Sequence, residues 1–173
     1  MHTYIIAEIS ANHCGDINLA KKIIKKAKEI GADAVKVQTY TADTITIDCQ
    51  NEEFQINDEG NLWQGENLYS LYQKAYTPWE WQGELKKFAD EVGIDFFSTP
   101  FDYTAVDFLE SINVPIYKIA SFEAIDYPLI KYAASKGKPM IISVGISDFE
   151  EIQEAINACK SVGNDDITIL KCT

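Results

Sequence analysis

Cysteine is sparse and dispersed. The four thiols, Cys14, Cys49, Cys159 and Cys172, form no C-x-x-C pair, which speaks for reduced side chains in a cytoplasm and against zinc. No apolar run approaches the roughly 20 residues needed to span a bilayer. The N-terminus has no basic stretch ahead of an apolar one and enters a strand-like run at Tyr4, so no signal peptide is expected. Positive charge is in deficit, with 15 Lys+Arg against 27 Asp+Glu and a formal net charge of -12. The field of such a chain repels phosphate backbones and anionic lipid, arguing against nucleic-acid and membrane partners. A small anionic ligand remains compatible with it, because a few lysines in a cleft reverse the local potential. No G-x-G-x-x-G follows the first strand candidate, so the dinucleotide fingerprint is missing.

What is present is α and β in strict alternation. At 173 residues and 46% hydrophobic, the chain has room for one domain with a real core. Residues 4–10 form a short apolar run. Asp16 then reads as an N-cap, and Leu19, Ala20, Ile23, Ile24, Ala27 and Ile30 recur at helical spacing up to a stop at Gly31. A strand follows over 34–40. Strand, helix and strand in under 40 residues make a βαβ unit and hence a parallel sheet. Further on, Thr77 and Glu80 bracket Pro78 as a capping box for a helix ending near Gly93. Strands are expected over 94–98, 116–120, 140–143 and 167–172. The helices between them start at Asp102, at Asp126 and at a Ser147/Glu150 capping box.

Residues 41–76 break the rhythm. This segment far exceeds the usual ~2–6-residue βα loop and carries Phe54, Trp63, Tyr69 and Tyr72, so it is expected to be folded, with a short helix over 66–76. Two architectures fit the alternation: an open doubly wound sheet, or a (β/α)8 barrel of which about six units are present. Polar residues recurring at the C-terminal ends of the strands favour the barrel.

Those ends carry Glu8 ahead of Asn12 and His13, Lys36 and Gln38, Ser98, Thr99 and Asp102, Lys118 ahead of Ser121 and Glu123, Ser143, and finally Lys171 and Thr173. Lysine supplies charge and hydroxyls supply directed hydrogen bonds, a combination suited to a phosphate and a carboxylate. Blander readings exist for each. A strand-end Ser or Thr usually caps a helix. Lys36 can lift its head to solvent, Glu8 can pair with it structurally, and His13 can bond to nearby backbone. Tyr4 and the Trp79/Trp81 pair read as packing, and the lysines of 21–28 as a solvated helix face. Two lysines in two apolar strands, Lys36 and Lys118, are the residues a bland reading explains least well.

The stretches AEISANHCGD, GADAVKVQTYTADTITID, LWQGENLYSLYQKAYTPWEW, FFSTPFD, VPIYKIASFE, KPMIISVG and LKCT resemble, in order, the pattern of the sialic acid synthase family. QTYTADTITID and LYQKAYTPWEW resemble its pseudaminic acid synthase branch. The resemblance implies a (β/α)8 barrel followed by a small antifreeze-like domain, working as a cytoplasmic homodimer. It implies condensation of phosphoenolpyruvate with an N-acetylated amino sugar, here 2,4-diacetamido-2,4,6-trideoxy-altrose, with release of phosphate. N-acetylneuraminate and legionaminate synthases are the alternatives within the family. By motif, Lys36, Thr99, Lys118, Ser121 and Ser143 would bind phosphoenolpyruvate, and Glu8 and Glu123 would face the sugar and the reacting carbon. A divalent metal, Mn or Mg, is implied too, but neither His2 nor His13 matches the family's metal-binding histidines, so its ligands are not expected in this chain. Residues 1–173 then correspond to the N-terminal barrel portion, expected to be inactive alone. Val144 and Cys14 depart from the usual residues. Two readings of other kinds compete: a non-catalytic anion-binding or assembly fragment, and an aldolase-type barrel using Lys36 or Lys118 as a Schiff base.

Overall fold

The computed structural model describes residues 2–57, 60 and 63–172. Six strands form one sheet: β1 (Ile6–Glu8), β2 (Ala34–Thr39), β3 (Asp95–Pro100), β4 (Tyr117–Ile119), β5 (Met140–Ser143) and β6 (Ile167–Leu170). Their spatial order is the sequence order, and every neighbouring pair is parallel. That order decides between the two architectures. Parallel crossovers are right-handed, so strands added always on the same side place every helix on one face. A doubly wound sheet must reverse direction once, and this sheet never does. The opposite face is therefore the interior of a barrel, of which six strands are formed.

The helices are α1 (Ile17–Glu29), α2 (Ala42–Ile45), α3 (Leu68–Ala75), α4 (Trp79–Val92), α5 (Tyr103–Ser111), α6 (Tyr127–Ala134) and α7 (Phe149–Lys160). Ala20, Ile24 and Ala27 of α1 and Leu85 and Ala89 of α4 meet Val35, Val37 and Phe96 in one buried cluster. A second cluster packs Val106 and Leu109 of α5 and Ile130 and Ala133 of α6 against Tyr117, Ile119, Met140 and Ile142. Side chains alternate along a strand, so these outward residues leave Lys36, Lys118, Ile141 and Ser143 on the inner face. The whole inner rim is fixed by this alternation.

Several local expectations shift. Asp16 caps α1 as read, accepting from Asn18 N at 2.7 Å. Ile30, placed on the buried stripe by spacing, follows the last turn as C-cap and is 74% exposed. Thr77 forms no capping box; it is buried, its Oγ1 lies 3.3 Å from His13 Nε2, and Pro78 takes the N-cap position. The box that opens α7 is Asp148/Glu151, one residue later than Ser147/Glu150. The lysines of α1 are not merely a solvated face: Lys21 pairs with Glu84 and Lys28 donates to Gly93 O at 2.5 Å, tying α1 to α4 and its C-terminus. In the 41–76 insertion, α3 lies within the expected 66–76 window, and α2 and a 3-10 turn (Glu52–Phe54) precede it.

α4 is held to the sheet by a buried polar cluster. Thr39 Oγ1 donates to Gln82 Oε1 at 2.7 Å and lies 2.6 Å from Ser98 Oγ, while Gln82 Nε2 donates to Thr77 O at 3.2 Å. Thr39→Val keeps the shape but strands buried polar atoms on Gln82 and Ser98, which costs about 2–3 kcal/mol. Urea denaturation is expected to show that loss for Thr39→Val and less than half of it for Thr39→Ser, which keeps the hydroxyl.

Candidate anion-binding site at the barrel rim

Three strands bring the first half of the site together. Glu8, Lys36 and Phe97 are aligned across β1, β2 and β3, and Gln38 is aligned with Thr99 two residues further on. Lys36 Nζ forms an ion pair with the Glu8 carboxylate and donates to Thr99 Oγ1 at 3.3 Å. Glu8 also accepts from Ser10 N at 2.9 Å. The partner of Lys36 is thus Glu8.

β4 and β5 supply the second half. Lys118 is 6% exposed; its Nζ donates to Ser143 Oγ at 2.5 Å and to Ile119 O at 2.7 Å. Burial, reinforced by the charge of Lys36, depresses its pKa to about 8. The two ammonium groups thus feel one another and lie on the same rim. Ser121 and Glu123 follow β4, and Ser121 Oγ and Glu123 Oε2 are buried with no hydrogen-bond partner among the described residues. Burial pushes the Glu123 carboxyl up. Glu8, Thr99 and Ser143 come from the C-terminal ends of their strands, Lys36 and Lys118 from mid-strand positions on the inner face, and Ser121 and Glu123 from the turn after β4.

Sequence reading named Gln38 at the end of its strand but missed Cys172, Gly145 and Ile45 as neighbours of the site. Cys172, at the end of the β6 segment, has its pKa lowered by a hydrogen bond with Ser143 and by the charge of Lys118. Gly145 permits this approach: a Cβ there would stand 2.6 Å from the Cys172 Cβ and 3.2 Å from Ser121 Oγ. Gln38 lines a cavity of about 350 Å³ with Ile45, Tyr72, Phe101, Phe122 and Glu123. Strand alternation, which puts Gln38 on the face of Lys36, was the available signal for it. Lys171 is exposed, and Thr173 lies outside the described residues.

Other candidates fall elsewhere. His13 is buried beside Thr77, accepts from Gly15 N through Nδ1 at 3.2 Å and meets Trp81 edge-on at 5.7 Å. Trp79 stacks on Phe108, and Tyr4 bonds to Asp95 at the first residue of β3, far from the strand ends that build the rim. Among the described residues no group of three His, Cys, Asp or Glu is placed to hold a metal ion. The implied divalent metal does not fit the side chains of the described residues. Among the same residues no helix is long and apolar enough to cross a membrane.

An all-parallel β/α barrel sheet carrying lysines and hydroxyls on its inner face and rim defines a β/α barrel protein with a candidate anion site. The sequence contains no arginine, so lysine supplies the fixed positive charge there. The chain belongs to the NeuB family, whose model matches residues 23–173. It is 51% identical over 168 residues to a pseudaminic acid synthase of Helicobacter pylori, covering 97% of this chain and 49% of that protein. A pseudaminic acid synthase of Campylobacter jejuni (serotype O:2) is 45% identical over 170 residues, covering 98% and 49%. Among solved structures, an N-acetylneuraminic acid (sialic acid) synthetase from Leptospira borgpetersenii, in complex with citrate, superposes with a TM-score of 0.84 at 30% identity, over 100% of this chain and 55% of that one. The chain spans about half the length of the curated relatives it matches.

Keeping Lys118 charged in its buried position costs about 3 kcal/mol, from a depression of roughly 2.5 pKa units. The sign follows from linkage. The folded pKa lies below the unfolded one near 10.4, so the unfolded state binds more protons between the two values. Stability is therefore penalised below pH 8 and recovers as pH rises from about 8 toward 10. Lys118→Met is expected to remove this pH dependence and to raise stability at pH 7 by about 1–3 kcal/mol, read by denaturant titration at pH 7 and 9.

Proposed function

We propose that this chain is the N-terminal barrel portion of a longer synthase that condenses phosphoenolpyruvate with an N-acetylated amino sugar, giving pseudaminic acid and phosphate. The observation that carries the reading is the convergence of Lys36 and Lys118 with Thr99 and Ser143 on one rim. The identity to pseudaminic acid synthases over nearly all of this chain supports the choice of sugar. On this reading the remaining strands, the antifreeze-like domain and the ligands of a divalent metal belong to the rest of the protein. The chain alone is inactive, and the working enzyme is a cytoplasmic homodimer.

Each residue has a physical task. Phosphoenolpyruvate carries a carboxylate and a phosphate, and two lysines with three hydroxyls neutralise and orient them. Ligand entry would release Lys36 from Glu8, and it would restore the proton affinity that burial takes from Lys118. C3 of the enol phosphate attacks the open-chain aldehyde of the sugar, and the carbonyl oxygen takes the electron pair. C2 becomes cationic in character, water adds there, and phosphate leaves by C–O cleavage. Glu123, buried and with a free acceptor oxygen, suits binding to the sugar and steadying the charge at C2 or taking a proton from the water. Glu8 faces the same space from β1.

An imine-forming lysine is the competing chemistry that Lys118 favours, because its low pKa leaves a larger share of free amine. Borohydride with a carbonyl substrate labels that lysine in an aldolase and leaves the synthase unlabelled.

Turnover of the full-length protein with phosphoenolpyruvate, the 2,4-diacetamido sugar and Mn or Mg is expected to release phosphate stoichiometrically with a nine-carbon acid, seen by mass spectrometry. Absence of phosphate release with every N-acetylated hexose tried would refute the proposal. A pH profile tests the lysine separately. kcat/KM for phosphoenolpyruvate reports the free enzyme, so it is expected to fall, approaching tenfold per unit, as pH rises through about 8 and Lys118 loses its proton.

A further inference from the structure

The 350 Å³ cavity beside the rim has two unlike sides. Gln38 and Glu123 offer polar groups, and the Oε2 of Glu123 is buried without a partner. Ile45, the rings of Tyr72 and Phe101, and Ala120 and Phe122 supply apolar lining that none of the rim chemistry uses, while the Tyr72 hydroxyl feels the charge of Glu123. The cavity volume lies at the small end of the roughly 300–1,000 Å³ typical of ligand sites, a size for one monosaccharide rather than a longer glycan.

The apolar side is braced. Tyr40, 3% exposed, sits behind it and meets Tyr72 edge-on at 5.5 Å and Phe101 edge-on at 5.6 Å. Trp79 Nε1 donates to Tyr40 O at 3.1 Å, fixing the backbone between β2 and α2. Ile45 ends α2, which is closed at its start by the Thr41/Thr44 pair and tied to α3 by Tyr69 Oη donating to Asp43 Oδ1 at 2.7 Å. Two wall residues thus come from the long insertion, and the third from the turn after β3. A rigid apolar surface opposite polar groups matches an amphipathic ligand, with hydroxyls and amide N–H on one side and methyl groups on the other.

We propose that Ile45, Tyr72 and Phe101 form a specificity wall that takes the methyl-bearing substituents of the amino sugar. A second acetamido group or a deoxy methyl packs on this wall. A sugar with a hydroxyl at that position buries an unpaired polar group instead, and binds less well. The inference rests on the synthase reading and extends it to the determinant of sugar choice.

The test uses the full-length enzyme and two sugars, the 2,4-diacetamido-2,4,6-trideoxy sugar and N-acetylmannosamine. Wild type is expected to prefer the former in kcat/KM. Ile45→Thr, which replaces a half-buried apolar branch with a hydroxyl, is expected to cut that preference about tenfold, through KM of the diacetamido sugar and with the KM of phosphoenolpyruvate unchanged. Ile45→Val keeps an apolar surface and is expected to keep most of the preference. An equal loss for both sugars, or a raised KM for phosphoenolpyruvate, overturns the wall and leaves the synthase reading standing. A wild type that turns over neither sugar overturns the synthase reading, and the wall with it.

Discussion

Two ammonium groups share the inner face of one parallel sheet, and the rest of the site follows from holding them there. Lys36 is relieved by Glu8 and Thr99; Lys118, deeper, bonds to a hydroxyl and a carbonyl and gives up part of its proton affinity to burial. The buried charge of Lys118 costs stability, and on the proposed reading an anion bound beside it would offset that cost. The destabilisation is therefore located in the functional side chains themselves, while the outer face of the same strands is an ordinary apolar core. The binding energy of an anion has a ready use: it offsets an electrostatic cost already present before the ligand arrives.

Much of this was legible in the sequence because it depends on two short periods. Alternation within strands assigns Lys36 and Lys118 to the face opposite the valines and isoleucines around them, and 3.6-residue spacing assigns Ala20, Ile24 and Ala27 to the sheet. The motif resemblance then brought together residues that periodicity alone could only place on a common rim. β5 has the limits the apolar run indicated, and β1 and β6 are shorter than their runs.

The failures have a common cause: partners distant in sequence. Thr77 looks like a cap until His13, 64 residues earlier, occupies its hydroxyl. Lys21 and Lys28 look solvated until α4 arrives alongside. At Ser147–Glu151 two overlapping box patterns are present, and the later one wins because Asp148 and Glu151 satisfy each other. The close approach of Cys172 to Gly145 and Ser121 joins strand ends that only the folded sheet brings together. Within the insertion, aromatic content indicated order, but the edge-on packing of Tyr72 on Tyr40 needs the third dimension.

The site divides by origin as well as by chemistry. Strand ends cannot move without breaking the ladder, and they carry the anion-binding lysines and hydroxyls. The insertion, anchored by Tyr40 and Trp79, carries Ile45 and Tyr72. On the proposed reading, the segment facing the sugar is then the one whose sequence can change with least effect on the sheet. On the same reading, a lysine rim for the anion and a side wall on a separate segment would allow the sugar to be exchanged while the phosphate chemistry stays fixed. The same separation makes a net charge of -12 compatible with the proposed anion site: local selectivity for charge needs only one buried and one half-buried lysine, and the remaining surface is free to repel.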